Sequence, residues 1–251
     1  MTAESDLSEA VSRAGMTAPF RYEDVTESTN ATALTLAASG FPEWTIVAAG
    51  HQTKGRGRLG RTWTSIPGAA LQFSIVLRPE IDPESAGLLT LLAGACMSRA
   101  ARTTGGAAVR CKWPNDLLVD AGKAGGILAE SKVESGRVKH VVVGIGVNVT
   151  ASPPNINEAA FLGGAGPPVL LEAFLRDFAS NYRPASPEFA EKTLALYRPV
   201  SATIGRKVRA TTTDGREVEG RAEDVDVRGN LLVDSAASIE AVAFGEVAHL
   251  D

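Results

Sequence analysis

The chain has 251 residues, 44% of them hydrophobic and 22% charged, with a formal net charge of -4. That balance is ordinary for a soluble globular protein of one large domain plus an appendage, or of two domains, and it lacks the broad basic surface of a general nucleic-acid binder. The two cysteines and three histidines have no paired spacing that would suit zinc, and no run approaches eighteen apolar residues, so no membrane span is expected. The first eighteen residues are polar and acidic, without the apolar core of a signal peptide. They are expected to form a flexible N-terminus over 1–18 and are too few for a winged-helix DNA-binding domain.

Ser28-Thr29-Asn30 precedes an Ala-, Leu- and Thr-rich run that ends before Gly40, which predicts a capped helix. Capping alone would account for Ser28 and Thr29; hydroxyls at a helix start can also face a ligand. Trp44 to Ala49 reads as a strand that delivers the chain into residues 51 to 63. There arginine alternates with glycine through Lys54-Gly55-Arg56-Gly57-Arg58-Leu59-Gly60-Arg61, closed by Trp63, with no acidic residue among them. A loop so rich in glycine has little preferred backbone shape. Its guanidiniums offer planar forks of donors for phosphate or carboxylate. The segment is expected to be mobile and to order around an anionic ligand, in preference to forming a solvated basic turn.

A strand follows at Ala70 to Leu77 and a helix at Pro83 to Thr103, ended by Gly105-Gly106. Val109 to Val149 reads as a meander of strands turning at Pro114-Asn115-Asp116, Asp120-Ala121-Gly122 and Glu134-Ser135-Gly136. Val141 to Val149 is apolar on both faces and should be central. Gly144 and Gly146 weaken such a strand unless something must approach its backbone closely. A long loop over 151–168 leads to two helices, Val169 to Arg183 and Pro187 to Tyr197. From about Ile204, short β-branched runs and turns suggest a small barrel of about fifty residues. The boundaries expected are therefore 19–200 and 201–251.

Lys112-Trp113-Pro114-Asn115-Asp116 places a cation, a ring, a rigid bend and two polar side chains together. It reads equally well as a cleft-facing segment or as a strand-end turn with a surface lysine and a core tryptophan. Lys123, beside Ala124-Gly125-Gly126, is placed to meet an anion or to be merely solvated. Asn148 could read a nucleobase edge or simply satisfy a strand end. The sequence holds no P-loop, nucleophile-elbow or Rossmann signature.

Taken together, Ser28-Thr29-Asn30, Gln52 with the Gly55 to Trp63 loop, Lys112 to Asp116, Lys123 to Leu128 and Gly144 to Asn148 resemble the biotin protein ligases over roughly residues 20 to 251. The glycine-arginine loop and the Lys-Trp-Pro-Asn-Asp segment are the specific elements. The resemblance implies an α+β catalytic domain with a mixed sheet, related to class II aminoacyl-tRNA synthetases and lipoate ligases, and a C-terminal SH3-like β-barrel. It implies a cytoplasmic enzyme that makes biotinyl-5′-AMP from biotin and ATP with Mg²⁺, then biotinylates a lysine of the biotin carboxyl carrier domain of acyl-CoA carboxylases. Operator DNA and membranes are not expected partners; a homodimer is compatible with the family.

By motif, Ser28, Thr29, Asn30 and Gln52 belong to the biotin site. Arg56, Gly57 and Arg58 would close over biotin and the α-phosphate, and Lys123 would sit beside the reacting groups, so that Lys123, Arg56 and Arg58 are the catalytic candidates. Arg58, Arg61, Trp63, Lys112, Asn115, Asp116 and Asn148 are assigned to ATP, with Asp116 also toward magnesium. Two other classes compete: a lipoate or octanoate ligase on the same fold, and a non-enzymatic RNA-binding or interaction protein.

Overall fold

The computed structural model describes residues 2–212, 214–236, 238–243 and 245–250. In chain order the elements are α1 (Ala3–Arg13), β1 (Phe20–Thr26), α2 (Thr29–Ala38), β2 (Ile46–Gln52), β3 (Ala70–Leu77), α3 (Gly87–Thr103), β4 (Val109–Lys112), β5 (Asp116–Val119), β6 (Gly122–Glu134), β7 (Arg137–Asn148), α4 (Pro167–Asn181) and α5 (Phe189–Tyr197). Five strands follow: β8 (Lys207–Thr212), β9 (Glu217–Val225), β10 (Leu231–Asp234), β11 (Ile239–Val242) and β12 (Gly245–His249).

The first seven strands form one mixed sheet in the order β1-β2-β3-β7-β6-β5-β4. Only β1 and β2 pair in parallel; the other neighbours are antiparallel. Strand β7 is central, and its unbroken apolar run has a direct cause. Val141, Val143, Ile145 and Val147 face the main core with α3 and α4, whereas Val142 joins Val47 and Val76 against Ala33 and Ala37 of α2. Both faces are covered, so both sets of alternating side chains are apolar. Phe73, Phe174 and Phe178 are fully buried here, each contributing about 1.5–3 kcal/mol by leaving water.

Two elements depart from the sequence expectation. Residues 1–18 are not wholly a flexible arm: α1 is closed by a Thr2–Ser5 capping box, and its Leu7, Ala10 and Val11 are buried. Those three positions share one helical stripe, and Arg13 anchors it to Glu172 of α4 at 2.7 Å. The polar composition concealed so short a stripe. Strand β1 was not anticipated either. It is an edge strand, half exposed and charged, and it lacks an apolar face to announce it.

The last five strands form an antiparallel sheet in the order β11-β10-β9-β8-β12. Its interior residues, Val208, Ala210 and Val233 among them, join the main hydrophobic cluster. Hydrogen bonds fix it to the larger unit: the Trp113 backbone N–H donates to Thr203 Oγ1 at 3.0 Å, its indole N–H to Gly229 O at 3.0 Å, and the Ala202 N–H to Cys111 O at 2.8 Å.

Candidate active site

The sheet face that carries α2 builds a floor from pairs directly opposite across strands. Gly144 stands between Ser74 and Leu128, and Gly146 between Gln72 and Gly126. The two glycines are required by what lies on them. A Cβ on Gly144 would stand 1.8 Å from Asn30 Oδ1, and one on Gly146 2.7 Å from Cε2 and Nε1 of the Trp63 ring. The close approach inferred from glycines in a central strand therefore has named occupants, an amide and an indole.

Above this floor opens a cavity of about 420 Å³. Ser28 is the N-cap of α2, yet its side chain makes no capping hydrogen bond and lines the cavity instead. Thr29 donates to Gln52 Oε1 from its backbone N–H at 2.8 Å and from its hydroxyl at 3.2 Å. Gln52 in turn donates to Gln72 Oε1 at 2.9 Å. Ser74 Oγ lies 2.6 Å from Asn30 Oδ1 and 2.8 Å from Thr29 Oγ1. One end of the cavity thus has a rank of neutral donors and acceptors already held in place by one another.

The arginine-glycine loop leaves β2 and closes on itself. Gly57 N–H donates to Arg61 O at 2.7 Å and Trp63 N–H to Gly55 O at 2.9 Å. Gly55 is required at that closure, because a Cβ there would meet Trp63 O at 2.5 Å. These backbone bonds close the loop on itself despite its glycine content. Nor are its cations left to repel one another: Lys54 pairs with Glu27 at 2.6 Å, Arg56 with Glu130 at 2.8 Å, and Arg61 with Glu246 of β12 at 2.6 Å. The acidic partners come from distant parts of the chain.

Arg58 is the exception. Among the described residues it has no carboxylate partner and reaches only Gly245 O, at 3.3 Å. Burial lowers its pKa, with Glu246 and Asp116 opposing and Arg61 adding to the effect. A desolvated guanidinium with unused donors is a strong attractor for an anion.

The β4–β5 turn also presents Lys112, Trp113, Asn115 and Asp116 to the cavity. Both readings of this segment hold at once: it is a hairpin turn, and it lines the cleft. Trp113 is a core ring, 3% exposed. Asn115 donates to Ile127 O at 3.0 Å. Lys112 makes no ion pair among the described residues, whereas Lys123 Nζ lies 2.6 Å from Asp116 Oδ1. Asp116 is thus paired with an ammonium, and as a single carboxylate it would hold a magnesium only together with the phosphates of a nucleotide. Among the described residues no cluster of three His, Cys, Asp or Glu side chains could hold a metal.

Asn148 does not line this cavity. It is 2% exposed; its Nδ2 donates to Ala160 O at 3.0 Å, tying down the loop after β7, while its Oδ1 is buried without a partner among the described residues. Sequence reasoning also missed contributors. Arg209, Thr211 and Glu246 of the C-terminal sheet line the cavity, and nothing in their local sequence marks them. Gln72 and Ser74 did leave a signal, as polar residues at alternate positions of an otherwise apolar strand.

Residues 22–148 match the family model described as "Biotin/lipoate A/B protein ligase family", and residues 203–250 match "Biotin protein ligase C terminal domain". The chain belongs to the biotin/lipoate A/B protein ligase family. This ligase is 32% identical over 236 residues to the bifunctional ligase/repressor BirA of Bacillus subtilis, covering 90% of this chain and 72% of that one. It is 36% identical over 239 residues to the biotin--[acetyl-CoA-carboxylase] ligase of Mycobacterium tuberculosis, covering 90% of this chain and 86% of the relative. Its fold is similar to that of the Aquifex aeolicus biotin protein ligase in complex with biotin and ATP, with a TM-score of 0.70 at 24% identity, covering 92% and 98% of the two chains.

Proposed function

We propose that this ligase activates biotin with ATP as biotinyl-5′-AMP and transfers the biotinyl group to a lysine of a biotin carboxyl carrier domain, as expected of a cytoplasmic partner of acyl-CoA carboxylases. The observation that carries this reading is the composition of a single cavity. A neutral group of Ser28 with Thr29 and Gln52, the last two already held to each other, suits an uncharged, hydrogen-bonding ring head, and cations at Arg58, Lys112 and Lys123 suit a carboxylate and phosphates. The relatives' names and the bound ligands of the Aquifex protein agree with it.

In the first step, a biotin carboxylate oxygen attacks the α-phosphorus of ATP. The bond from that phosphorus to the bridging oxygen of the leaving group breaks, and pyrophosphate departs with the electron pair. Two anions must meet, so positioning and charge stabilisation by Arg56, Arg58 and Lys123 supply the rate. Magnesium enters as part of the nucleotide substrate. Trp63, lying over Gly146, and Arg61 face the nucleotide half, with Asn115 shaping that wall. In the second step the acceptor amine attacks the acyl carbon, AMP leaves, and a proton is lost from the amine. We also read the catalytic fold as related to class II aminoacyl-tRNA synthetases and the C-terminal sheet as an SH3-like module, with the domains meeting near residue 200.

Incubation with biotin, Mg-ATP and a carrier domain, followed by intact mass measurement, tests this function: a single biotinyl adduct on the carrier is expected, and an unmodified carrier would refute it. The family model also spans lipoate ligases. Calorimetry with biotin and lipoate side by side distinguishes the two, and the C-terminal match favours biotin.

A further inference from the structure

Glu130 lies on β6 opposite Val142, outside the motifs that define the cavity, and neither its neighbours nor its spacing distinguish it in the sequence. Its carboxylate is nevertheless divided between two working parts of the site. Oε1 pairs with Arg56 Nη2 at 2.8 Å, and Oε2 accepts from Asn30 Nδ2 at 2.9 Å. Asn30 cannot retreat. It is 4% exposed, lies on the Gly144 backbone, and is held by Leu128 O at 3.2 Å and Ser74 Oγ at 2.6 Å. Through Ser74 and Thr29 the same line of hydrogen bonds reaches Gln52. One end of the line is the rank assigned to the biotin head; the other is a guanidinium assigned to the reacting anions.

Arg56 is tethered at one point only. Among the described residues its side chain makes no hydrogen bond or ion pair other than the one from Nη2, so its remaining N–H donors stay available. It also lines both the main cavity and a neighbouring one of about 350 Å³, so it stands on the wall between them, with Glu130 on the side of the second. A long guanidinium side chain that borders two cavities needs an anchor on a rigid element to be presented reproducibly to one of them. A carboxylate on a sheet strand, itself fixed by a buried amide, supplies one.

We propose that Glu130 is a positioning residue for the adenylation step: it aims Arg56 into the main cavity and registers the cationic loop against the Asn30–Thr29–Gln52 rank. The kinetic part of this proposal rests on the function proposed above; the tether itself does not.

The test uses the full-length protein as wild type, Glu130→Gln, Arg56→Ala and the double variant. The glutamine keeps the size of the side chain and an acceptor for Asn30, and removes the charge that holds Arg56. Without ligands, Glu130→Gln is expected to speed tryptic cleavage within residues 56–61 while the melting temperature stays near wild type. Its kcat/KM for biotin-dependent pyrophosphate release should fall by up to about 100-fold, the scale of a misplaced catalytic group. In the Arg56→Ala background the same change should cost nothing further, since partners acting as a unit are not additive. Unchanged cleavage and rate in Glu130→Gln, losses that add to those of Arg56→Ala, or failure of Glu130→Gln to fold would each overturn the proposal, the last by making the residue structural. If wild type releases no pyrophosphate with biotin, the adenylation reading fails, and the cleavage comparison alone decides whether the tether exists.

Discussion

Lys123→Ala separates a catalytic cation from a structural one. Lys123 Nζ lies 2.6 Å from Asp116 Oδ1, with side chains 45% and 26% exposed. A pair so open to solvent contributes about 0.2–1 kcal/mol to folding, so the variant should melt within a few degrees of wild type, at about 2–4 °C per kcal/mol for a chain of this size. The cost to chemistry should be far larger. Removing one charge-assisted donor from a site of developing negative charge costs about 2.7–4 kcal/mol of barrier, or roughly 10²–10³ in rate. The vacated Asp116 adds to this, because its uncompensated carboxylate then faces incoming phosphates. At about 4 Å and an effective dielectric near 20, one such unit repulsion is about 4 kcal/mol before solvent screening. A second substitution, Asp116→Asn, should therefore return part of the lost activity to Lys123→Ala. The assay is biotin-dependent pyrophosphate release in parallel with thermal melting. Near-normal release by Lys123→Ala, or a rate loss matched by loss of fold, would refute the reasoning.

Arg58→Ala should lower kcat/KM for pyrophosphate release at least tenfold while leaving the melting temperature unchanged or raised, because the guanidinium it removes is desolvated and has no carboxylate partner among the described residues; a matching drop in both would contradict this. Gly144→Ala should destabilise by about 1–3 kcal/mol, since its methyl would need the space of Asn30 Oδ1; urea titration with an unchanged midpoint would count against it. Biotin plus ATP should slow tryptic cleavage after Arg56, Arg58 and Arg61, and equal rates with and without ligands would remove the closing-loop element. Cys96 and Cys111 are free and buried, and burial pushes both thiols up, that of Cys111 to about 12. Both are therefore protonated at pH 8, and a thiol reagent should label neither until the protein is unfolded; rapid labelling of the native protein would refute that placement.

Local chemistry decided what could be read from the sequence. The arginine-glycine loop and the Lys112 to Asp116 turn are contiguous, so composition and spacing exposed them. Gly144 and Gly146 were informative because glycine is unfavourable in a central strand, and Asn30 and Trp63 supply the reason. Glu130, Glu246 and Arg209 were invisible because each reaches the site only through strand pairing or the packing of the second sheet. The loop's charge balance is hidden for the same reason: its carboxylate partners stand at positions 27, 130 and 246 of the chain. Asn148 shows the converse, a motif residue outside the cavity lining whose Nδ2 is bound to Ala160 O and whose Oδ1 is left without a partner among the described residues. Helix α1 and strand β1 were lost because a short buried stripe and an exposed edge both leave weak hydrophobic patterns.

The most direct measurement omits the acceptor altogether. The protein is incubated with biotin and α-labelled Mg-ATP, quenched, and its small molecules are separated. A cavity that joins a carboxylate to an α-phosphate should yield labelled biotinyl-5′-AMP, retained by the native protein and absent without biotin. Turnover of ATP that is indifferent to biotin, or no labelled acyl-adenylate at all, would contradict that chemistry.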